Sequence, residues 1–387
     1  MPNVALSELL DLSQYGLSVS SVDGGQYPMF KMNNFANGFM SDSEVDTVDL
    51  EYEEFSKYKL EYGDILFNRT NSIDLVGKTG VFTLKGNYVF ASYLVRLKVN
   101  KEIADPFFLN YFMNFDRTKL RLKSLATKAV SQANINPTQL KKLLRVPLFP
   151  LPEQRKIAKI LSTWDNAISA TEQLLDNSQQ QKKALMQQLL TGKKRLVNPD
   201  TGKVFEGDWK NTHLSNIASI KKGKALSAKN LVAGSYPVIA GGKSSPYSHV
   251  HFTHENVITV SASGAYAGYV SYHPYKIWAS DCSVVTAKPA NYLGFIFQWL
   301  QLNQIRIYSM QSGGAQPHIY PKDLEVMKLR VPKIEEQQKI ASVLTAADKE
   351  IELLQAKLAH LKDEKKALMQ QLLTGKRRVK VDENVAA

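Results

Sequence analysis

The residues whose types and spacing could do chemistry fall into three short runs. Asp105-Pro106-Phe107-Phe108 is one proline short of the Asp-Pro-Pro-Phe loop that grips an extruded adenine during methyl transfer, and no glycine-rich strand-to-helix turn for a nucleotide cofactor precedes it. It reads instead as a helix start with proline in its first turn. Gly241-Gly242-Lys243-Ser244 has the end of a phosphate loop, but Pro237 stands where that loop needs its first glycine. His249, His251 and His254 have no thiolates beside them, and strand alternation splits the three between faces. With no Gly-x-Ser-x-Gly elbow and no nuclease carboxylate pattern, the expectation is a chain with no catalytic residue, no metal site and no cofactor of its own.

The polar loops have a stronger claim. Reading a base edge needs Arg, Lys, Asn, Gln or Ser on a rigid scaffold. Such residues recur at matching places in the two halves of the chain. After the strand-like Ile65-Leu66-Phe67 come Asn68, Arg69, Thr70 and Asn71, with Lys78 soon after; after Val257 to Val260 come Ser261, Ser263 and Tyr266. Polar loops carrying Ser131 and Gln132 in one half and Gln316 in the other follow segments that read as helices, Pro106 to Ser124 and Tyr292 to Met310. Lys221, Lys222, Lys224 and Lys243 form a cationic stretch suited to phosphates. The acids between Asp42 and Glu61 would repel phosphates, and their expected place is a solvated face turned away from nucleic acid or toward another protein.

Composition agrees with this choice. The 387 residues carry a net charge of +13, which favours an anionic polymer as partner, and 44% hydrophobic residues suffice for two or three cores. The single cysteine, Cys282, excludes a disulfide framework and a thiolate zinc site, and points to a reducing, cytoplasmic setting. No basic start followed by an apolar run, and no stretch of eighteen apolar residues, suggests export or membrane insertion.

The elements that must position these loops announce themselves as a repeat. Residues 153–195 and 336–378 align without a gap at an offset of 183, with 22 of 43 positions identical, and Lys182–Lys193 matches Lys365–Lys376 throughout. A run this long marks internal duplication or one surface needed twice, and it is where a partner subunit is expected to be held twice. Ile157, Leu161, Trp164, Ile168, Thr171, Leu175, Ser178, Lys182, Leu185 and Leu189 keep a 4-3-4-3 spacing, and the second copy keeps it from Ile340 to Leu372. That is a coiled-coil seam. Weaker matches extend the repeat upstream, among them Ile135 with Ile319, and Gly80 and Ala91-Ser92 with Gly268 and Ala279-Ser280.

The chain therefore reads as domain (1–150), helix (151–195), linker (196–210), domain (211–332), helix (333–380) and tail (381–387). Each helix is about 57 Å long at 1.5 Å per residue. The linker spans at most about 50 Å, too short to return along a parallel helix, so the pair must be antiparallel. The expected fold class is α+β: two mixed α/β domains in pseudo-two-fold repeat, separated by two long antiparallel coiled-coil helices.

This layout resembles the specificity subunits of type I restriction-modification systems. The resemblance covers nearly the whole chain and rests on Tyr62-Gly63-Asp64-Ile65-Leu66, Ala91-Ser92, Asp105-Pro106, Pro152-Glu153-Gln154 with Ile157-Ala158, and Gly313-Gly314-Ala315-Gln316-Pro317-His318-Ile319. The first half departs from the pattern, with Ala129-Val130-Ser131-Gln132-Ala133 where a glycine pair would stand. The resemblance implies two target-recognition domains, each reading one half of a bipartite, gapped site in double-stranded DNA. It also implies two methyltransferase subunits docked on the helices and using S-adenosylmethionine, and restriction subunits driven by ATP with Mg. Readers roughly 50 to 60 Å apart would span about 13 to 17 base pairs. Three other readings stay open: the recognition subunit of a two-component enzyme cutting around a gapped site, a coiled-coil scaffold binding proteins, and a self-sufficient methyltransferase.

Overall fold

The computed structural model describes residues 2–128, 132–242, 245–313 and 316–381. The chain divides into two compact units, residues 1–170 with 358–387, and residues 171–357. Each unit takes one α/β domain and one half of each long helix.

In the first unit the sheet runs Leu10–Tyr15, Leu94–Val99, Ile65–Asn68, Thr79–Val81, Phe39–Met40 and Phe35–Ala36 in spatial order. In the second, Ala218–Lys222, Cys282–Ala287, Val257–Ser261 and Val270–His273 repeat its first four strands. A smaller sheet also recurs, with a parallel pair at its heart: Val89 beside Met29 in one unit, Trp278 beside Val238 in the other. The central strands are buried on both faces and read as continuous apolar runs, Ile65-Leu66-Phe67 and Val257-Ile258 with Val260.

The segments expected as single helices each break once. Pro106–Asn114 and Asp116–Ser124 are separated at Phe115, and Leu293–Leu302 and Gln304–Ser309 at Asn303. Phe115 leaves the helix in an extended conformation with its ring buried, so core packing overrides helical continuity there. Asp105 caps the first of these helices, accepting the Phe108 amide at 2.9 Å with Pro106 behind it, a structural role.

The long helices span Leu151–Leu189 and Ile334–Leu372, 39 residues each. Between residues 349 and 363 the only side chains not exposed are Ile351, Leu354, Leu358 and Leu361, the expected seam. Both helices end at a left-handed glycine, Gly192 (φ 73°) and Gly375 (φ 71°), and the Lys194 and Arg377 amides return to the Gln188 and Gln371 carbonyls, both at 3.1 Å. The pairing is antiparallel within each unit. In the first, Glu153 meets Arg378 and Asp165 meets Lys365; in the second, Arg195 meets Glu336 and Lys182 meets Asp348. Every one of these residues has its 183-offset counterpart in the other unit.

The Pro-Glu-Gln start of the first helix has a physical reason. Glu153 is buried and accepts two guanidinium bonds from Arg378 at 2.7 and 2.5 Å, which hold its carboxyl below the usual carboxylate range. Gln154 accepts the Asp105 amide at 2.9 Å and donates to the Phe149 carbonyl at 2.8 Å. Glu336 and Gln337 repeat this toward Arg195, Tyr292 and Pro332.

One face of the identical twelve-residue run is spent inside the chain. Leu372 and Leu373 are buried in the core of the first unit, and Met186, Leu189 and Leu190 in that of the second. The identity is therefore explained first by two equal packing jobs, and the exposed face, Lys183, Ala184, Gln187, Gln188 and Lys193 with Lys366, Ala367, Gln370, Gln371 and Lys376, remains open to an outside partner. The linker is ordered: Val197 bridges Val204, and Trp209 is buried against Gly192.

Several of the acids between Asp42 and Glu61 are used internally. Asp46 pairs with Lys31, Asp49 accepts the Gln26 amide at 2.9 Å, and Glu61 pairs with Lys98 at 2.9 Å.

Buried titratable groups in the second unit set a pH dependence. Burial pulls His273 down to about 4, and its Nε2 lies 2.9 Å from Thr259 Oγ1. The native imidazole is neutral, whereas an unfolded one protonates near pH 6.5. Stability is thus present above that value and lost as pH falls toward 4; burial of His254 acts in the same sense. Between pH 7 and 5 the second unit should lose about 2 kcal/mol from His273. Urea unfolding followed by tryptophan fluorescence measures this, since Trp209, Trp278 and Trp299 all lie in that unit, and His273→Gln should flatten the slope.

Candidate nucleic-acid interface

In each unit one corner gathers the ends of three strands. In the first, the chain leaves Ile65–Asn68 at Arg69, whose amide donates to the Tyr93 carbonyl at 3.1 Å and whose carbonyl accepts the Ile135 amide at 2.8 Å. Thr70–Asn71 then pairs with Ala133–Asn134, which pairs with Thr127–Lys128. This short three-stranded clip brings Gln132 and the strand after it beside Arg69 to Asn71, about 60 residues away in sequence.

The second unit rebuilds the corner with other residues. The Ala262 amide donates to the Asp281 carbonyl at 3.1 Å, its carbonyl accepts the Ile319 amide at 2.9 Å, and Ser263 bridges His318. Asn68 and Ser261 thus hold equivalent positions, as do Arg69 and Ala262, Thr70 and Ser263, and Tyr93 and Asp281. The glycine equivalent to Gly268 is Gly77, not Gly80: the Gly77 and Gly268 amides donate to the Asn68 and Ser261 carbonyls at 2.8 and 2.7 Å, both with φ above 80°, whereas Gly80 lies in a strand beside Leu66. A left-handed turn, not alignment, identifies the match.

The third strand end completes the corner. A side chain on Gly16 or Gly223 would collide with the carbonyl of Ala91 or Ser280, so glycine lets the strands Leu10–Tyr15 and Ala218–Lys222 run tight against the Ala-Ser pairs. Tyr15 and Lys222, each just before that glycine, are carried to the same place. In the first unit the Arg69 guanidinium lies 5.0 Å over the exposed Tyr15 ring, with Nε donating to the Ser92 carbonyl at 3.2 Å. In the second, Lys222 and Lys322 lie 5.8 and 5.6 Å over Tyr320, which stacks on His318 with centroids 6.0 Å apart. Cations braced on exposed rings present both charge and a stacking surface.

The expected contact residues sort as follows. Asn68 and Ser261 are buried, 0% and 3% exposed, and as placed neither offers its side chain to an outside partner; polar character at a strand end had suggested otherwise. Thr70 is nearly buried, accepting the Asn134 amide group at 3.0 Å, and Asn71 accepts the Ser72 amide at 2.8 Å. Arg69 is half-buried, while Lys78, Gln132, Lys221, Lys222, Lys224, Tyr266 and Gln316 are exposed. Ser131 and Lys243 lie outside the described residues, as does Ser244 of the phosphate-loop look-alike. Tyr15, Tyr93, Asp281, His318 and Tyr320 were missed. The sequence signal for Tyr15 was the glycine that follows it, paralleled by the glycine after Lys222, each set against an Ala-Ser pair.

The histidine run is occupied by the fold. His249 is buried with Nδ1 at 3.0 Å from the Val232 carbonyl and its ring against Trp278, and His254 bonds Thr253 at 2.9 Å. Burial pushes the Cys282 thiol up to about 12, leaving it unreactive at neutral pH. Among the described residues no helix is long and apolar enough to cross a membrane.

Two α/β units built on one plan, joined by paired long helices and ending in equivalent polar corners, define a duplicated recognition scaffold. The chain belongs to the type I restriction modification DNA specificity family, whose domain matches residues 4–177 and 206–363. It is 30% identical, over 97% of its length and 93% of the relative's, to a protein of Methanocaldococcus jannaschii named for the type I restriction enzyme MjaX specificity subunit. It is 25% identical to the MjaVIII specificity subunit of the same organism, over 82% of this chain and 79% of that one. The crystal structure of the type I restriction-modification S subunit from M. genitalium shares the fold, with a TM-score of 0.69 at 18% identity over 96% of both chains.

Proposed function

We propose that this specificity subunit, acting in the cytoplasm, reads a bipartite, gapped site in double-stranded DNA, one half-site per α/β unit, and carries no chemistry of its own. The observation that supports this best is the corner built twice with the same backbone and different side chains: equal frames position, and unequal side chains specify. Arg69, Asn71 and Gln132 read the first half-site, and Ser263, Tyr266 and Gln316 the second. Lys78, Lys221, Lys222 and Lys224 hold phosphates. The exposed polar strip that recurs around Lys183 and Lys366 docks two methyltransferase subunits, which supply S-adenosylmethionine chemistry; restriction subunits bring ATP and Mg.

Selection from a random duplex pool by the complex with its methyltransferase subunits, in about 150 mM salt, tests this. Enrichment of one two-part sequence with a fixed gap is expected. Retention of all duplexes alike, falling steeply with salt, would reduce the chain to a non-specific binder.

Helix length is the ruler for the gap in this reading. Four residues inserted in each long helix add about 6 Å and should lengthen the spacer by one or two base pairs, leaving both half-sites unchanged. An unchanged spacer in the selected duplexes would refute it.

A further inference from the structure

Asp281 is an acid where a DNA-reading surface should have none. Its carbonyl accepts the Ala262 amide at 3.1 Å, which fixes it to the turn at the end of Val257–Ser261, and its side chain is exposed. The neighbouring strands bring Lys222 to the same corner, in register with Ser283, and His318 arrives through its bridge to Ser263. One carboxylate oxygen, Oδ2, accepts the Ser263 hydroxyl; the other has no partner, and Asp281 makes no ion pair, among the described residues. The equivalent position in the first unit is Tyr93, so the acid belongs to one corner only.

A carboxylate facing phosphates costs binding, and it is tolerable on such a surface when it points at a hydrogen-bond donor instead. The major groove offers two, the cytosine N4 and adenine N6 amino groups. Adenine sets its N7 acceptor beside N6, which suits an amide and repels a carboxylate; cytosine has only a C–H next to N4. With Oδ2 committed to Ser263, Asp281 offers a single acceptor, which matches cytosine. Resting on the reading of the chain given above, we infer that Asp281 is a specificity-determining residue that requires a cytosine at one position of the half-site read by the second unit, and that Ser263 orients it.

The test is the methylation motif left by the complex with its methyltransferase subunits, for the native chain, Asp281→Asn and Asp281→Ala. Asn presents an acceptor and a donor, the pair that adenine N6 and N7 require. Asp281→Asn should lower the preference for cytosine at one position by roughly 10- to 100-fold and admit adenine there, and Asp281→Ala should make that position degenerate. The first half-site and the gap should stay unchanged in both, which also shows that the variant chains fold and assemble. A motif identical to the native one in both variants, or loss of every modified site in both, overturns the assignment. A native complex that leaves no motif would count against the function on which it rests, not against Asp281.

Discussion

Cutting the chain after Lys357 should unfold the α/β domain at the opposite end of the sequence. Residues 358–381 supply Leu372 and Leu373 to the core of the first unit, with Leu368, Met369 and Val379 packed against it. They also supply Arg378 to the buried Glu153, and Lys365 to Asp165, whose other oxygen accepts the Tyr111 hydroxyl at 2.6 Å. Losing these five apolar side chains, three of them only partly buried, costs roughly 8 kcal/mol at about 1.5 each, comparable with the whole stability of a typical domain. Hydrogen exchange on residues 1–357 should show protection lost along Ile65–Asn68 and Leu94–Val99 while Val257–Ser261 and Cys282–Ala287 keep theirs. If the first 150 residues stay protected without the second helix, the unit is not closed by that helix.

Arg69→Ala should relax sequence discrimination at one base pair in one half of the DNA site and leave the other half intact. The Arg69 guanidinium is held by Tyr15 beneath and the Ser92 carbonyl beside it, and its two terminal nitrogens have no partner among the described residues. A braced guanidinium with a free fork is suited to a guanine O6 and N7. Removing it should cost about 1 to 3 kcal/mol of discrimination at one base pair, roughly 5- to 150-fold. Arg69→Lys should restore overall affinity but not the discrimination, because a point charge lacks the fork. Competition binding with duplexes altered in one half-site at a time separates these outcomes.

Which parts of this were readable in the sequence follows from the range of the forces involved. The long helices were legible because a seam from Ile340 to Leu372 repeats within a few residues, and their antiparallel pairing because a fifteen-residue linker has a maximum reach. The duplication was legible as identity, but its meaning was not: Leu189 and Leu372 serve their own units' cores, and no local pattern tells a core-facing leucine from one awaiting a partner. The clips were hidden because pairs such as Thr70–Asn71 with Ala133–Asn134 are too short for any periodicity. Asp281 and Tyr15 reach the corners through strand pairing, so the glycine after Tyr15 and the Ala-Ser pair before Asp281 mark the two places in sequence without showing what they meet. The burial of Asn68 and Ser261 was hidden for the converse reason, since a polar residue ending an apolar strand looks the same whether it turns in or out.

The central claim, that each unit reads its own half of a gapped site, is tested most directly by a methylome. The native chain and Arg69→Ala would each be expressed with the methyltransferase subunit in a host free of adenine methylation, and modified adenines mapped across the genome. The native chain should give a two-part motif with a fixed gap, absent when the chain is omitted, and Arg69→Ala the same gap and second half with a loosened first half. A motif without a gap, or one in which a single substitution in the first unit alters both halves, would contradict it.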